Sequence, residues 1–304
     1  MTVTAGRPFL VALDQRLEGY RRFLAAWVCR VGGRTVVIDP GPASTIPHLV
    51  ERLHAAGIER VDFVLLTHIH LDHGGGSAEL LDAFPEARLW CHERGRGHLL
   101  DPVHLWQGSR ATIGEVAEVY GEPRPLAERR LAGDDELAAA GIEVIPTPGH
   151  APHHASFRIG RFLFAGEAVA TRLHLPGPAE YLRPATPPRF RPRVFLDSLA
   201  RLERLQPRPD YLCFAHYGLS REPPGWYRRA RRQLELWLEL VGREVRAGNE
   251  FRPRHLVGLL EHEDPDFPLA RLPGDIRRRE LFYVENSLLG MWRALLSGLR
   301  SCGA

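Results

Sequence analysis

The segment Thr67-His68-Ile69-His70-Leu71-Asp72-His73-Gly74-Gly75-Gly76 places three histidines and one aspartate within six positions. Imidazole and carboxylate are ligands that suit zinc, manganese and iron. Core packing or a solvated face explains four such side chains poorly, so the segment reads as half of a metal site. Three further candidates each follow an apolar run of strand length. His150 follows Ile142–Ile145, within Thr147-Pro148-Gly149-His150. Glu167 follows Phe162–Ala165 and Gly166, and His216 follows Tyr211–Ala215. In a layered α/β fold, strand ends converge on one sheet edge, where fixed backbones can bring polar groups together.

The elements that must position these residues are legible in part. Residues 25–38 predict two strands around a Gly32-Gly33 turn. Residues 45–57 carry Ile46, Leu49, Val50 and Leu53 at helical spacing and end at Gly57, which suits a helix C-cap. Val61–Leu66 is a strand candidate, 77–84 a helix stopped by Pro85, and Ala87–Cys91 another strand. This alternation predicts the α/β class. Residues 94–131 predict a helical insertion or lid. Strand character returns at Ala155–Ile159 and Arg161–Ala165. Leu175–Pro192 holds Pro176, Pro178, Pro184, Pro187, Pro188 and Pro192, and is expected to be a long ordered loop or linker without helix or inner strand. Residues 194–205 predict an amphipathic helix.

The pattern changes at Pro223-Pro224-Gly225. Beyond it, Leu234, Leu238, Val241 and Val245, and later Leu281, Val284, Leu288, Met291, Leu295 and Leu299, recur at helical spacing. The chain therefore divides into a catalytic core, residues 1–222, and a helical C-terminal region, residues 223–304. That region would act as a lid, a substrate contact or the apolar face of a homodimer.

Composition bounds the function classes. A chain of 304 residues with 44% hydrophobic and 25% charged residues has the profile of a soluble globular protein. All 40 basic residues are arginine, whose forks match phosphate oxygens, but 37 acidic residues leave a net charge of only +3. A small-molecule substrate is therefore preferred over nucleic acid. Cys29, Cys91, Cys213 and Cys302 form no C-x-x-C pair, which excludes a zinc ribbon or thioredoxin motif. Cys29 and Cys213 sit in apolar runs as small buried hydrophobes, and Cys302 is an inert tail residue. The N-terminus lacks a basic-then-apolar signal pattern. No stretch approaches the roughly 18 apolar residues of a membrane span. The expected location is cytoplasmic, with no membrane partner.

Over about residues 10–222 the chain resembles the metallo-β-lactamase superfamily. The motif H-x-H-x-D-H stands as His68, His70, Asp72 and His73, and the later histidines match His150 and His216. The resemblance implies a four-layer αββα sandwich with two divalent metal ions, zinc first and manganese or iron as alternatives. His68, His70 and His150 would hold the first ion, and Asp72, His73 and His216 the second. Where the family usually has a bridging aspartate, this chain has Glu167. The extra methylene extends its reach by about 1.5 Å. Glu167 could bridge both ions, bind one, or swing away.

A divalent metal lowers the pKa of bound water from 15.7 toward about 7, so hydroxide is available at neutral pH. Asp72 would ligate the second metal and orient the water or pass a proton to the leaving group. Gly74-Gly75-Gly76 would let backbone and ligand come close. Asp39, in Asp-Pro-Gly-Pro, reads as a turn residue supporting the site. His153 and His154 would orient His150 or cap the next element. Tyr217 and Tyr181 are substrate contacts or, more simply, packing residues. His92, His98, His104 and His174 match no pattern and read as surface or loop residues.

The expected function is hydrolysis of a small ester, thioester or lactone by metal-bound hydroxide, similar to glyoxalase-II-like and lactonase-like members. One alternative is an endoribonuclease of the β-lactamase-like type, whose helical C-terminal domain the layout matches and to which Arg228, Arg229, Arg231 and Arg232 would contribute. Another is a mononuclear-iron persulfide dioxygenase, which Glu167 leaves open.

Overall fold

Strand β1 (Phe9–Ala12), which no motif or turn signal marks in the sequence, pairs antiparallel with β2 (Ala25–Val31). At the next turn Gly32 and Gly33 take φ of 55° and 79°. Two consecutive positive φ angles suit glycine and match the twist of a tight hairpin. The turn returns β2 into β3 (Arg34–Ile38). Strands β4 (Phe63–Leu65) and β5 (Arg88–Trp90) then add in parallel, giving the order β1-β2-β3-β4-β5. The computed structural model describes residues 6–175, 180–187 and 190–302.

The second sheet contains β6 (Ile142–Pro146), β7 (Ala155–Ile159) and β8 (Phe162–Gly166). A separate hairpin follows, β9 (Thr171–His174) with β10 (Glu180–Arg183). Strands β11 (Tyr211–Phe214) and β12 (Leu219–Arg221) complete the second sheet in the order β12-β11-β8-β7-β6. β10 has a strand neighbour on one side only, so the proline-rich stretch holds no inner strand among the described residues, but it is not loop or linker throughout. Its four residues lie between the prolines, so every backbone amide needed for pairing with β9 is present. Residues 176–179 and 188–189 of that stretch lie outside the described residues, as does the side chain of Cys302.

The helices are α1 (Ile46–Ala55), α2 (Leu71–Gly74), α3 (Ser77–Ala83), α4 (Glu93–Leu100), α5 (Val103–Ile113), α6 (Glu115–Tyr120) and α7 (Asp134–Ala139). Then come α8 (Pro192–Glu203), α9 (Pro223–Arg246), α10 (Pro253–Glu263) and α11 (Gly274–Cys302). The segment 94–131 is helical as expected.

The period of two along each strand sorts side chains between two faces. Trp27, Cys29, Val36, Ile38 and Leu65 of the first sheet meet Phe157, Ile159, Phe164 and Cys213 of the second. The alternate residues Ala26, Val28, Val37 and Val64 face outward onto Leu49 and Leu53 of α1 and Leu80 and Leu81 of α3. The outer face of the second sheet, through Leu163, Leu212 and Phe214, meets Leu199 and Leu202 of α8 and Trp226 of α9. The result is an αββα sandwich. The C-terminal helices are part of its apolar packing: Leu234, Trp237, Val284, Leu288 and Met291 share one buried cluster with α1, α3 and the first sheet. No helix among the described residues is long and apolar enough to cross a membrane.

The two sheets are also joined by polar contacts near the edge where the histidines gather. The Trp27 indole donates to the Phe214 carbonyl at 2.8 Å. The Ala155 amide donates to the Thr67 carbonyl at 2.8 Å. Buried donors left without such partners would each cost about 1–3 kcal/mol. These bonds therefore help fix the strand ends that carry the site.

Candidate metal centre

β4 ends at Leu65, and the chain runs through Thr67 and His68 before turning at His70 into α2, which carries Asp72 and His73. The three glycines that follow serve this turn. A Cβ on Gly76 would lie 2.3 Å from Cγ1 of Ile46, and one on Gly75 would lie 2.5 Å from the Leu71 carbonyl oxygen. Their neighbours belong to the protein itself. The glycines admit close packing of the turn after α2 against Leu71 and against Ile46 of α1.

Hydrogen bonds fix the orientation of the candidate ligand rings. Asp39, held at φ 51°, accepts the Thr67 amide at 2.8 Å, the Thr67 hydroxyl at 2.7 Å and His73 Nδ1 at 3.0 Å. The Thr67 hydroxyl has spent its proton on Asp39, so it accepts from His68 Nδ1 at 3.1 Å. His150 donates through Nδ1 to the Ala185 carbonyl at 3.0 Å. In the neutral form of all three rings Nε2 is therefore the lone-pair nitrogen. His68 Nε2 and His73 Nε2 are buried and have no hydrogen-bond partner among the described residues. Buried acceptors without partners are costly, and a cation at their convergence would satisfy them. An Asp39→Asn variant is expected to weaken metal affinity about 10- to 100-fold, the usual cost of losing an outer partner of a ligand histidine. Competition with a chelator measures this, and unchanged affinity would mean that Asp39 only shapes the turn.

Glu167 is positioned by an equally directed chain. Ser156 donates its hydroxyl proton to the Ala165 carbonyl at 3.0 Å, so it accepts from Thr147 Oγ1 at 3.0 Å. Thr147 in turn accepts from His154 Nδ1 at 2.9 Å, and His154 Nε2 accepts the Glu167 amide at 3.0 Å. Gly166 permits this approach: its φ is +58°, and a Cβ there would lie 2.3 Å from His154 Nε2. His154 thus holds the backbone of Glu167, and His150 is held by Ala185 instead of by His153 or His154.

The Glu167 carboxylate faces both groups of candidate ligands. Oε2 is 2.9 Å from His150 Nε2 and 3.4 Å from His68 Nε2, while Oε1 is 2.9 Å from His216 Nε2. His70 Nδ1 lies 3.0 Å from His150 Nε2. Asp72 Oδ2 lies 3.4 Å from His73 Nε2. His68, His70, His150 and Glu167 therefore form one group with metal-ligand spacing, and Asp72, His73 and His216 form another.

The electrostatics suit cation binding. Burial, with neighbouring histidines, holds His68 well below the ordinary imidazole range and lowers His70 to about 4. Both are neutral lone-pair donors at pH 7. Burial opposes charge on His73 and His150, but Asp72 and Asp39 beside the first, and Glu167 beside the second, outweigh it and raise both. Burial likewise opposes the charge of Asp72, yet adjacent His73 holds its carboxyl well below the usual range. An ion needs both rings as neutral donors, so protons compete with it and binding weakens as pH falls.

Other sequence candidates fall outside this geometry. The His153 ring centroid is 6.0 Å from His70, and its Nε2 is buried without a partner among the described residues. The Arg22 guanidinium lies 5.2 Å from the Tyr217 ring centroid. Tyr181 is fully buried and packs on Phe267. His92 caps α4 by accepting the Arg94 amide. Thr67, Phe23 and Ala185 were missed. Thr67 adjoins the motif and could have been suspected. Phe23, whose ring lies 4.6 Å from His216, and the Ala185 carbonyl carry no local signal.

Residues 20–216 match the family model of the metallo-beta-lactamase superfamily. A metallo-beta-lactamase fold-containing protein of Sulfurisphaera tokodaii is 27% identical over 194 residues, 61% of this chain and 69% of that protein. A hydroxyacylglutathione hydrolase of Aeromonas hydrophila is 32% identical over 143 residues, 47% of this chain and 45% of that enzyme, so the match spans less than half of the relative. The crystal structure of an archaeal metallo-beta-lactamase superfamily protein from Sulfolobus tokodaii aligns with a TM-score of 0.65 and 22% identity, over 93% of this chain and 98% of that one. That likeness speaks to the fold.

Proposed function

The chain belongs to the metallo-beta-lactamase superfamily, and we propose that within it this protein hydrolyses a small ester, thioester or lactone with two divalent metal ions, zinc first. The observation that carries this reading is the division of one carboxylate between two ligand groups: Glu167 Oε2 beside His150 and Oε1 beside His216. His68, His70 and His150 would hold one ion, Asp72, His73 and His216 the other, and Glu167 both. When bound, such ions supply Lewis acidity and acidify water.

The chain's own groups account for the rest. Asp39 and Ala185 hold Nδ1 of His73 and His150, so the neutral rings turn the Nε2 lone pair inward. His154 and Gly166 set the height of Glu167. The Asp72 side chain is 21% exposed and ionised at neutral pH. It can orient a water and carry a proton to the leaving group.

The endoribonuclease alternative draws less support. Of the four clustered arginines, Arg229 is paired with Glu180 and Asp266, Arg231 with Glu203, and Arg232 with Asp266. Charges spent on internal pairs are poorly placed to neutralise phosphates.

The test is elemental analysis of protein purified without added metal, followed by assays on ester, thioester, lactone and RNA substrates. Two equivalents of zinc or manganese per chain, with turnover of a small acyl substrate, is the expected result. One equivalent of iron without hydrolysis would replace this reading with the persulfide dioxygenase. RNA cleavage that weakens steeply with salt would replace it with the nuclease.

A further inference from the structure

Arg183 ends β10 and is 3% exposed. Two residues later the Ala185 carbonyl holds His150, so the chain that carries Arg183 leads directly to the metal centre. Its Nε donates to Glu280 Oε2 at 2.7 Å. From the other side Arg279 donates through Nε and Nη2 to Glu280 Oε1, at 3.0 and 2.8 Å. Arg279 is 4% exposed and Glu280 fully buried. Two guanidinium groups against one carboxylate leave a single positive charge in this buried group. The terminal nitrogens of Arg183, Nη1 and Nη2, make no hydrogen bond among the described residues.

An aromatic wall connects this charge to the ligands. Phe23 lies 4.6 Å from the His216 ring and 5.5 Å from the Tyr283 ring. The Arg183 guanidinium is 5.1 Å from the Tyr283 ring centroid. The half-buried Tyr283 places its hydroxyl 3.3 Å from that of Tyr20. Burial chiefly, with neighbouring tyrosines and Asp72, holds the Tyr283 hydroxyl protonated, so it remains a donor.

We propose that Arg183 and Tyr283 bind a carboxylate carried by the substrate. This rests on the hydrolase reading and narrows its substrate class to acyl compounds bearing a free carboxylate. A buried charge is costly unless paired, and here the guanidinium edge that Glu280 leaves free has no partner among the described residues, while the guanidinium packs on the Tyr283 ring of the wall that reaches His216. Its planar fork matches a carboxylate in two parallel hydrogen bonds. One surplus charge suits a monoanion. Tyr20 acts as a positioning residue by holding the Tyr283 hydroxyl.

The test compares monophenyl glutarate with its methyl ester on the metal-loaded protein. The two differ only in whether the distal carboxylate is free. The wild type is expected to favour the free acid about 10- to 100-fold in kcat/KM, the span of charge-assisted hydrogen bonding. Arg183→Gln leaves a balanced Arg279–Glu280 pair and should bring the ratio close to one. Tyr283→Phe should lower it through KM. Arg183→Lys, which keeps charge without the fork, should retain part of the preference and serves if the Gln variant does not fold. Calorimetry with glutarate, and glutaramide as neutral control, reads binding without turnover. Loss of glutarate binding in Arg183→Gln supports the proposal. Equal binding in variant and wild type, or equal rates for the two esters in the wild type, overturns it. If neither ester is hydrolysed the hydrolase reading fails, and the glutarate titration still decides the role of Arg183.

Discussion

Shortening Glu167 to aspartate is expected to halve the metal content and to lower kcat by more than the roughly 10- to 100-fold that loss of an outer partner costs. The carboxylate now lies 2.9 Å from His150 Nε2 on one side and 2.9 Å from His216 Nε2 on the other. Removing one methylene withdraws its oxygens by about 1.5 Å. The backbone cannot advance to compensate. The Glu167 amide is tied to His154, and Gly166 is wedged against the same imidazole at a φ of +58°. An aspartate here would therefore fall short of at least one ligand group. Glu167→Gln, which keeps length and removes charge, separates reach from electrostatics. Metal content and activity unchanged in the aspartate variant would show that Glu167 is not a length-sensitive ligand.

The fit of Glu167 between the two groups depends both on what the sequence displays and on what it hides. The motif from His68 to His73 is local, and its chemistry is legible because three histidines and an aspartate crowd one turn. His150, Glu167 and His216 are legible because each follows an apolar run, and the period of those runs identifies strands. The polar network beneath them is less visible. Asp39 reaches Thr67 and His73 across 28 and 34 positions, and no spacing rule links them. His154 looks like a neighbour of His150 in sequence, yet the pleat and the Thr147–Ser156 relay turn it toward Glu167. β10 was hidden because proline count is a property of a stretch, whereas pairing depends on which four amides are free. Helical spacing revealed α9 and α11, but not where they pack. Arg183 meets Glu280 across 97 positions, so only the folded chain brings α11 to the site.

Glu280→Gln is expected to destabilise the protein by about 3–5 kcal/mol, the usual cost of removing one partner from a buried ion pair. At about 2 °C per kcal/mol for a chain of this size, Tm should fall by roughly 6–10 °C. The neutral amide would leave Arg183 and Arg279 facing each other in the core without a counter-charge. The same magnitude follows from ionisation. Burial raises the Glu280 pKa, but Arg183 and Arg279 outweigh it and hold the carboxyl at about 2 against an ordinary value of 4.5. A depression of that size corresponds to about 3 kcal/mol. Because the folded value is the lower one, this contribution is fully present above pH 4.5 and is lost as pH falls toward about 2. Protonated Glu280 resembles the glutamine it is compared with. The difference in urea midpoint between wild type and variant should therefore be full at pH 7 and shrink steadily below pH 4.5. A difference that stays constant down to pH 3 would mean that Glu280 stabilises the core by shape and hydrogen bonding, without its charge.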